Sequence, residues 1–392
     1  MGPPDPIIGL NDAFKNDTNP NKVNVGVGAY RDDLGSPYVL PVVRKAESLV
    51  SSSGLDHEYA GIAGEQEFVD LAMEFAYGDD CVKIKEGKVK GVQTLSGTGG
   101  LRVMGEFLAK FGKHKHIYVP DPTWGNHIPI MQNCGLEVKK YRYYDAGNSG
   151  LDFSGLVEDM EKAPEGSCFL LHACAHNPTG MDPTESQWSE ISKVIKEKGH
   201  FPFFDCAYQG FASGNAPKDA WSIRKFVSDG HELALVQSFS KNFGLYGQRV
   251  GCLSWVAGSE EEAKRVESQM KIVIRPSYSN PPRHGARIVA TILRDEGMTK
   301  EFVDQCKGMA DRIGGMRTAL RSSLEDAGST RDWSHVTSQI GMFAYSGLSK
   351  EQVERMRDEF SVYGTLDGRI SMAGVTKGNV EYIAKAMHEC TK

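Results

Sequence analysis

The sequence predicts an α/β fold: a large domain with a mostly parallel, seven-stranded type of sheet covered by helices, and a smaller α+β domain. Between about residues 90 and 290, short apolar runs alternate with helical patterns. These runs do not alternate with polar residues, which is typical of strands covered on both faces. The last third of the chain changes to long helical patterns with few strands. A length of 392 residues suits two domains.

The strands of the large domain are predicted from their unbroken apolar runs. They are residues 92–96, 116–120, 168–173, 201–205, 232–239 and 251–256. Between the third and fourth, Trp188, Ile191 and Ile195 share one face of a helix, with Pro183 and Thr184 near its start. This is a βαβ unit, and parallel sheets place their sites at the carboxyl ends of the strands.

The smaller domain is predicted from the C-terminal third. A long helix near 309–328 precedes a strand within 339–347, and Ser349 with Gln352 forms a capping box for the next helix. A strand at 369–374 and a terminal helix from Asn379 complete the domain.

The domain boundaries follow from this change of character. The Pro-rich start predicts an extended N-terminal arm over residues 1–13. The small domain is expected to combine 14–36 with 310–392, and the large cofactor-binding domain to span 37–309.

Composition excludes several classes of protein. Hydrophobic residues make up 40% and charged residues 24% of the chain, as in ordinary globular domains. A net charge of −6 provides no basic field for nucleic acid or anionic lipid, and no apolar run reaches membrane-spanning length. The eight cysteines form no CxxC pair, which favours reduced thiols in an intracellular compartment. We expect neither a nucleic-acid nor a membrane partner.

Lys241 follows a predicted strand in SFSKNFGLYGQRVG, eight residues before Arg249. A lysine near another cation in a partly dry place tends toward the neutral amine, which attacks carbonyl groups. Taken alone, Lys241 is better explained as a solvated surface lysine, because lysine is almost never fully buried.

The segment LSGTGGLRVMGEFLAKF (95–111) predicts a strand end, a turn of four residues and an amphipathic helix. Helix N-termini with glycine and hydroxyl residues bind phosphate. The segment matches neither nucleotide signature, since Arg102 stands where GxGxxG needs its last glycine. A tight βα turn is the alternative.

Asp205 ends the aromatic strand in FPFFDCAYQGF. A buried carboxylate there needs a cation, such as a protonated pyridine ring, or else backbone amides or a helix cap. Tyr208 lies three residues on and is within reach of the same ligand.

Two further turns carry polar or aromatic side chains. In HACAHNPTG, His172, Cys174 and His176 alternate, so a metal site is one reading. The favoured reading is a turn in which Asn177 presents its amide to a ligand, without metal. PTWGNH adds Trp124 as a stacking platform or core residue, followed by a histidine.

Arginines stand in two irregular segments, IRPSYSNPPRHGARI and DGRISMAG. Arginine suits bidentate carboxylate recognition. Each arginine taken alone reads as a surface residue.

Together these motifs resemble the aspartate aminotransferases, a family of fold-type I enzymes that use pyridoxal 5′-phosphate. The match runs in order over nearly the whole chain, from VNVGVGAYRDD to GRISMAG. RPSYSNPP and LLHACAHNPTG resemble the mitochondrial form more than the cytosolic form. The family normally has alanine at Gly100 and glutamate at Gln248, both beside the contacting positions.

The resemblance implies roles at the cofactor ring. Lys241 would form the Schiff base with the cofactor aldehyde and then move the substrate Cα proton. Asp205 would pair with the ring nitrogen and be oriented by His127. The remaining ring contacts would be hydrogen bonds to the ring hydroxyl from Tyr208 and Asn177, and stacking by Trp124.

The resemblance also implies a phosphate site and a substrate site. The phosphate would be bound by Ser96, Gly97, Thr98, Ser238 and Arg249, with Tyr59 from a neighbouring subunit. The substrate would contact Gly28, Trp124 and Asn177, with Arg369 on its α-carboxylate and Arg275 of the neighbour on its side-chain carboxylate.

The resemblance therefore implies a homodimer with shared active sites, the N-terminal arm packed on the partner, and reversible ping-pong transfer of the amino group between L-aspartate and 2-oxoglutarate. It implies the mitochondrial matrix, with the cytoplasm as the alternative. Three rival functions stay open: a broader aromatic or kynurenine aminotransferase, a non-catalytic cofactor-binding protein, and a metal hydrolase using the HACAH segment.

Overall fold

A computed structural model describes residues 8–33 and 35–392. The helices are α1 (Ile8–Asn16), α2 (Pro41–Ser52), α3 (Gln66–Tyr77), α4 (Val82–Lys85), α5 (Ser96–Phe111), α6 (His127–Asn133), α7 (Phe153–Lys162), α8 (Glu185–Glu197), α9 (Ala216–Asp219), α10 (Trp221–Ser228), α11 (Glu260–Ser277), α12 (His284–Arg294), α13 (Glu296–Asp326), α14 (Ser334–Ser338), α15 (Lys350–Phe360) and α16 (Val380–Thr391). The strands are β1 (Val23–Asn24), β2 (Val89–Leu95), β3 (His116–Asp121), β4 (Glu137–Arg142), β5 (Tyr144–Asp145), β6 (Gly150–Leu151), β7 (Cys168–His172), β8 (Phe201–Cys206), β9 (Leu233–Ser238), β10 (Val250–Val256), β11 (Phe343–Tyr345), β12 (Val362–Tyr363) and β13 (Arg369–Ser371).

A seven-stranded sheet forms the centre of the molecule, in the order β2-β10-β9-β8-β7-β3-β4. Strand β10 is antiparallel to both β2 and β9, and the neighbouring strands from β9 to β4 are parallel. The register pairs His172 of β7 with Asp205 of β8. The predicted mostly parallel sheet is confirmed, and its carboxyl ends meet at one edge.

Both faces of this sheet are buried. Phe203 and Phe204 are adjacent in β8, point to opposite faces, and belong to two different apolar clusters. Helix α5 packs on β9 and β10, and α3 packs on β2 and β10. Cover on both faces explains why these strands read as unbroken apolar runs.

Local helix signals act as the sequence predicts. Helix α15 begins with a capping box in which the Ser349 and Gln352 side chains bond reciprocally to backbone amides. A second capping box, Thr184 with Gln187, begins α8. Each satisfies two amides that the first helical turn leaves unpaired.

The predicted four-residue turn after β2 is wrong, because α5 begins directly at Ser96. Its glycines allow the helix to lie on the sheet without a spacer. A Cβ on Gly100 would lie 2.9 Å from Val236 Cγ1, and one on Gly97 would lie 3.3 Å from Ser238 Cβ. The alanine expected from the family at Gly100 would therefore require a shift of Val236.

The N- and C-terminal segments meet outside the central sheet. Strand β1 pairs in parallel with β12, and β11 pairs antiparallel with β13. We propose the division into 14–36 with 310–392 and 37–309, although helix α13 crosses the second boundary without a break. The N-terminal arm is predicted over residues 1–13, of which 1–7 lie outside the described part of the chain. Residues 8–13 belong to helix α1 (Ile8–Asn16) and are not extended.

Within residues 8–33 and 35–392, no helix combines the length and apolar character needed to cross a bilayer. All eight cysteines are free thiols.

Candidate active site

A cavity of about 480 Å³ opens at the carboxyl edge of the central sheet. It is lined by twelve of the residues singled out from the sequence: Ser96, Gly97, Thr98, Trp124, His172, Cys174, Asn177, Asp205, Tyr208, Ser238, Lys241 and Arg249. They lie at or just after the carboxyl ends of β2, β3, β7, β8 and β9, or directly before β10. The parallel strand order therefore brings together segments that lie far apart in the sequence.

Asp205 is a carboxylate whose side chain is 11% exposed and which is held by a histidine. His127 Nε2 lies 2.9 Å from Asp205 Oδ2, and His127 Nδ1 lies 2.8 Å from Thr123 Oγ1. Burial raises the pKa of Asp205, but the His127 hydrogen bond and nearby positive charges outweigh it, so the pKa lies below its ordinary value. The carboxylate is therefore ionised at neutral pH.

Lys241 carries the amine of the cavity. Burial lowers its pKa, Asp205 acts in the opposite direction, and Arg249 and Arg369 lower the pKa further. Its Nζ lies 5.9 Å from the centre of the Tyr208 ring. A depressed pKa increases the neutral, nucleophilic fraction of the amine.

Hydroxyl groups and an arginine meet at the N-terminus of α5. Ser96 Oγ lies 3.0 Å from Ser238 Oγ and 2.9 Å from Ser240 Oγ. The Arg249 guanidinium donates to Ser240 Oγ at 3.4 Å. Helix N-termini present unpaired amides and a partial positive charge, so this group forms an anion site.

Arg369 is a buried guanidinium next to the cavity. It donates to Asn177 Oδ1 at 3.3 Å and to the Gly26 carbonyl at 3.1 Å, while its Nε has no hydrogen-bond partner. The Phe343 ring centre lies 4.2 Å from the guanidinium carbon. Gly28 is also close, since a Cβ there would lie 2.9 Å from Phe343 Cζ.

Tyr59 and Arg275 do not reach the cavity formed by their own chain. Tyr59 is 81% exposed and lines a different cavity, together with Arg283 and Arg287. Arg275 is exposed on α11 and donates to Ser279 Oγ. This placement agrees with the expectation that both residues act on a neighbouring subunit, but does not test it.

The alternating residues of HACAH are occupied with other contacts. The ring centres of His172 and His176 lie 4.2 Å apart, and His176 Nδ1 lies 2.8 Å from Thr179 Oγ1. Burial, with His127 nearby, lowers the pKa of His172 to about 3. Across the described residues, no group of three or more His, Cys, Asp or Glu side chains could hold a metal ion.

The sequence pattern of the family described as Aminotransferase class I and II matches residues 20–387. This chain belongs to the family of class I and II aminotransferases. The resemblance predicted from the motifs is confirmed, and the enzyme is a transaminase that depends on pyridoxal 5′-phosphate.

Similar proteins support the assignment of this aminotransferase along its whole length. It is 55% identical over 393 residues to the mitochondrial aspartate aminotransferase of Xenopus tropicalis, covering 100% of this chain and 92% of that protein. A mitochondrial aspartate aminotransferase structure from Trypanosoma brucei has a TM-score of 0.95 and 44% identity, covering 98% of this chain and 100% of the other. The structure of an aromatic-amino-acid aminotransferase from Burkholderia pseudomallei, covalently bound to pyridoxal phosphate, has a TM-score of 0.97 and 40% identity. The match covers 100% of this chain and 98% of the other.

The cavity of the aminotransferase fits this cofactor. The serine hydroxyls at the start of α5 suit a phosphate. Asp205 Oδ1 accepts no hydrogen bond from any described residue, which leaves it free for a protonated ring nitrogen. The Lys241 amine faces the same cavity and suits an aldehyde.

Three residues of the site were missed in the sequence. Ser240 lies two positions after Ser238, and Thr123 lies four positions before His127, so spacing alone was a usable signal for both. Phe343 comes from a distant strand, and no pattern in the sequence connects it to Arg369.

Asp219 leads to a prediction about pH and stability. Burial raises its pKa to about 6. An aspartate whose folded-state pKa is raised stabilises the fold at low pH and loses that contribution as pH rises through the folded value. Relative to Asp219→Asn, we expect the wild-type free energy of unfolding to fall by about 2.5 kcal/mol between about pH 4 and 7.5. Urea unfolding at both values measures it, and a constant difference between the two proteins would contradict it.

Proposed function

We propose that this enzyme transfers an amino group reversibly between L-aspartate and 2-oxoglutarate, giving oxaloacetate and L-glutamate in a ping-pong reaction. The observation that carries the proposal is the buried Arg369, whose unpartnered Nε lies beside a cavity that also holds Lys241. Relatives named aspartate aminotransferase match this chain from end to end.

Arg369 is proposed to bind the substrate α-carboxylate. A guanidinium with an unpartnered N–H, buried next to Asn177, is ready for a bidentate acceptor. Burial lowers its pKa, and a carboxylate would offset this effect by favouring the charged form. Substrate binding therefore satisfies a group that folding leaves unpaired.

Lys241 and Asp205 are proposed to perform the proton transfer and charge stabilisation. When bound, pyridoxal 5′-phosphate supplies an aldehyde that links to amines and a ring that accepts the electron pair left at the substrate Cα. The Lys241 amine, with its depressed pKa, takes the Cα proton and returns it. The ionised Asp205 pairs with the ring nitrogen, with His127 holding its orientation.

The remaining side chains are proposed to position the cofactor. Tyr208 and Asn177 donate to the ring hydroxyl, and Trp124 packs on the ring. The phosphate is bound at the start of α5 by Ser96, Gly97, Thr98, Ser238 and Arg249, with Ser240 added by the geometry.

The first test is the absorption spectrum of the purified enzyme between 300 and 450 nm, before and after L-aspartate is added without a keto acid. We expect a long-wavelength cofactor band that L-aspartate converts to a shorter wavelength. A band that responds only to another amino acid would overturn the substrate. The absence of a band after added pyridoxal phosphate would remove the role of Lys241.

A broader aromatic aminotransferase is the second candidate, because the Burkholderia pseudomallei aromatic enzyme shares the fold at a TM-score of 0.97. Arg275 separates the two. Arg275→Leu is expected to lower kcat/KM for L-aspartate by about 10²-fold, since it removes the proposed partner of the substrate's side-chain carboxylate. The value for L-phenylalanine should change less than about threefold. Equal losses for both substrates would contradict the role of Arg275.

We further propose a homodimer with shared active sites, supported by the finding that Tyr59 and Arg275 do not line the cavity of their own chain. Mixing Lys241→Ala chains with Arg275→Leu chains tests it. Each hybrid dimer would contain one site with both residues intact, so activity toward aspartate should reappear on mixing. Activity no higher than that of the parent variants would contradict sharing.

For localisation we propose the mitochondrial matrix, with the cytoplasm as the alternative. The support is that similar full-length relatives are named mitochondrial. Fractionation of cells with a matrix marker would distinguish the two.

A further inference from the structure

Tyr208 and Asn177 lie on different loops, and both are proposed to donate to the same ring hydroxyl. The backbone of each loop converges on a carboxylate outside the cofactor cavity: Asp219 for the Tyr208 loop and Asp182 for the Asn177 loop. An inference about these aspartates rests on the proposed function and deepens it.

Asp219 gathers three backbone amides of the Tyr208 loop. Its Oδ2 accepts from Gly210 N at 2.8 Å, from Ala212 N at 3.2 Å and from Ser213 N at 3.2 Å. Its Oδ1 accepts the hydroxyl of Ser213. An ionised carboxylate can accept hydrogen bonds from several buried donors at once, because it has two acceptor oxygens and no donor.

The Ala212 amide couples this carboxylate directly to Tyr208. Ala212 N donates to the Tyr208 carbonyl at 2.8 Å as well as to Asp219 Oδ2. Phe211 N donates to the same carbonyl at 2.9 Å. The backbone of Tyr208 is therefore held by a turn in which one of the two amides, that of Ala212, is shared with Asp219.

Asp182 holds the Asn177 loop in the same manner. Its Oδ2 accepts from Ala175 N at 2.6 Å and its Oδ1 from His176 N at 2.9 Å. Ala175 has φ +49°, a left-handed conformation that disfavours a residue with a Cβ. The two bonds offset that strain one and two residues before Asn177.

A second cavity, of about 370 Å³, places the two carboxylates on one side of these loops. Asp182, Asp219 and Ser213 line it, and Cys174 lines both this cavity and the cofactor cavity. The loops therefore separate the aspartates from the cofactor, and neither carboxylate lines the cofactor cavity.

We propose that Asp182 and Asp219 are positioning residues, each holding by backbone hydrogen bonds the loop that presents one donor, Asn177 or Tyr208, to the cofactor ring. They act through those donors and touch neither cofactor nor substrate. Neutralising either one should weaken the donation to the ring oxygen while leaving the donor side chain in place.

The test follows the absorbance of the cofactor-loaded enzyme against pH. The midpoint is the pH at which half of the absorbance change of the bound cofactor has occurred. A donor to the ring oxygen stabilises the ionised form of that oxygen, so losing the donor raises this midpoint pH. Tyr208→Phe should raise it by about one pH unit, the size of a hydrogen bond to a charged group. Asp219→Asn should move the midpoint in the same direction by about half as much.

The double variant shows whether Asp219 acts through Tyr208. Adding Asp219→Asn to Tyr208→Phe should give no further shift, because the donor through which Asp219 acts is already absent. The matched control is Asp295→Asn, whose carboxylate also accepts a backbone amide, Met298 N at 2.8 Å, but lies at the start of α13. This control should leave the midpoint unchanged.

An Asp219→Asn midpoint equal to that of the wild type, or shifts that add fully in the double variant, would overturn the proposal. The same experiment on the other loop uses Asp182→Asn with Asn177→Ala, and it replaces the first if Asp219→Asn does not fold. An unchanged midpoint for Asp182→Asn, or shifts that add fully in that double variant, would also overturn the proposal. A wild-type enzyme without a cofactor band would instead refute the proposed function.

Discussion

Replacing Lys241 with alanine is expected to lower kcat for aspartate transamination by about 10⁴-fold or more, because the variant loses both the nucleophilic amine and the base that moves the Cα proton. The pKa of Lys241 is depressed by burial and by Arg249 and Arg369, so a larger fraction of the amine is neutral than in a solvated lysine. Stopped-flow absorbance after mixing the cofactor-loaded enzyme with L-aspartate measures the first half-reaction directly.

Lys241→Arg is the matched control, since it keeps a positive charge beside Asp205 but has no amine that deprotonates at neutral pH. Both variants should therefore be similarly inactive. If the arginine variant retained more than about a tenth of the wild-type rate, charge rather than amine chemistry would explain Lys241.

Asp205→Asn is expected to give the second largest loss, about 10²- to 10³-fold in kcat, because it removes a fixed charge from a dry site. The carboxylate is ionised at neutral pH since the His127 hydrogen bond keeps its pKa low despite burial. The asparagine has nearly the same shape, so the loss reports charge. Steady-state kcat and the absorbance band of the bound cofactor are the measurements.

The loss of kcat in His127→Asn is the comparison for Asp205→Asn. It removes the 2.9 Å contact to Asp205 Oδ2 but leaves the carboxylate in place, so the loss should be only about tenfold. A His127 variant as impaired as Asp205→Asn would mean that the histidine, and not the aspartate, carries the charge-stabilising role.

The central sheet was predictable because its strands are covered on both faces and read as apolar runs. Strand β4 was not, since EVKKYR lies at the sheet edge and leaves its charged side chains partly or fully exposed. The start of α5 at Ser96 was also mispredicted, because it depends on how closely glycines approach β9. In the case of α5, the deciding contact is with a distant segment.

The site divides in the same way. The chemistry of Lys241 and Asp205 could be inferred from residue type and from their place at strand ends, and the motif resemblance assigned their roles. The contacts of Arg369 with Phe343 and Asn177 depended on packing between segments far apart in the chain. Tyr59 and Arg275 lie away from the cavity, and only an assembled dimer would test their roles.

By itself, the sequence determined most of the elements, the family and the kinds of chemical group present, because these depend on local patterns and residue types. The tertiary structure decided further contacts: Ser240 with Ser96 at α5, the packing of Phe343 on Arg369, and the aspartates behind the two loops. The physical reason is that strand order and close packing set distances between residues far apart in the chain, and local patterns do not encode those distances.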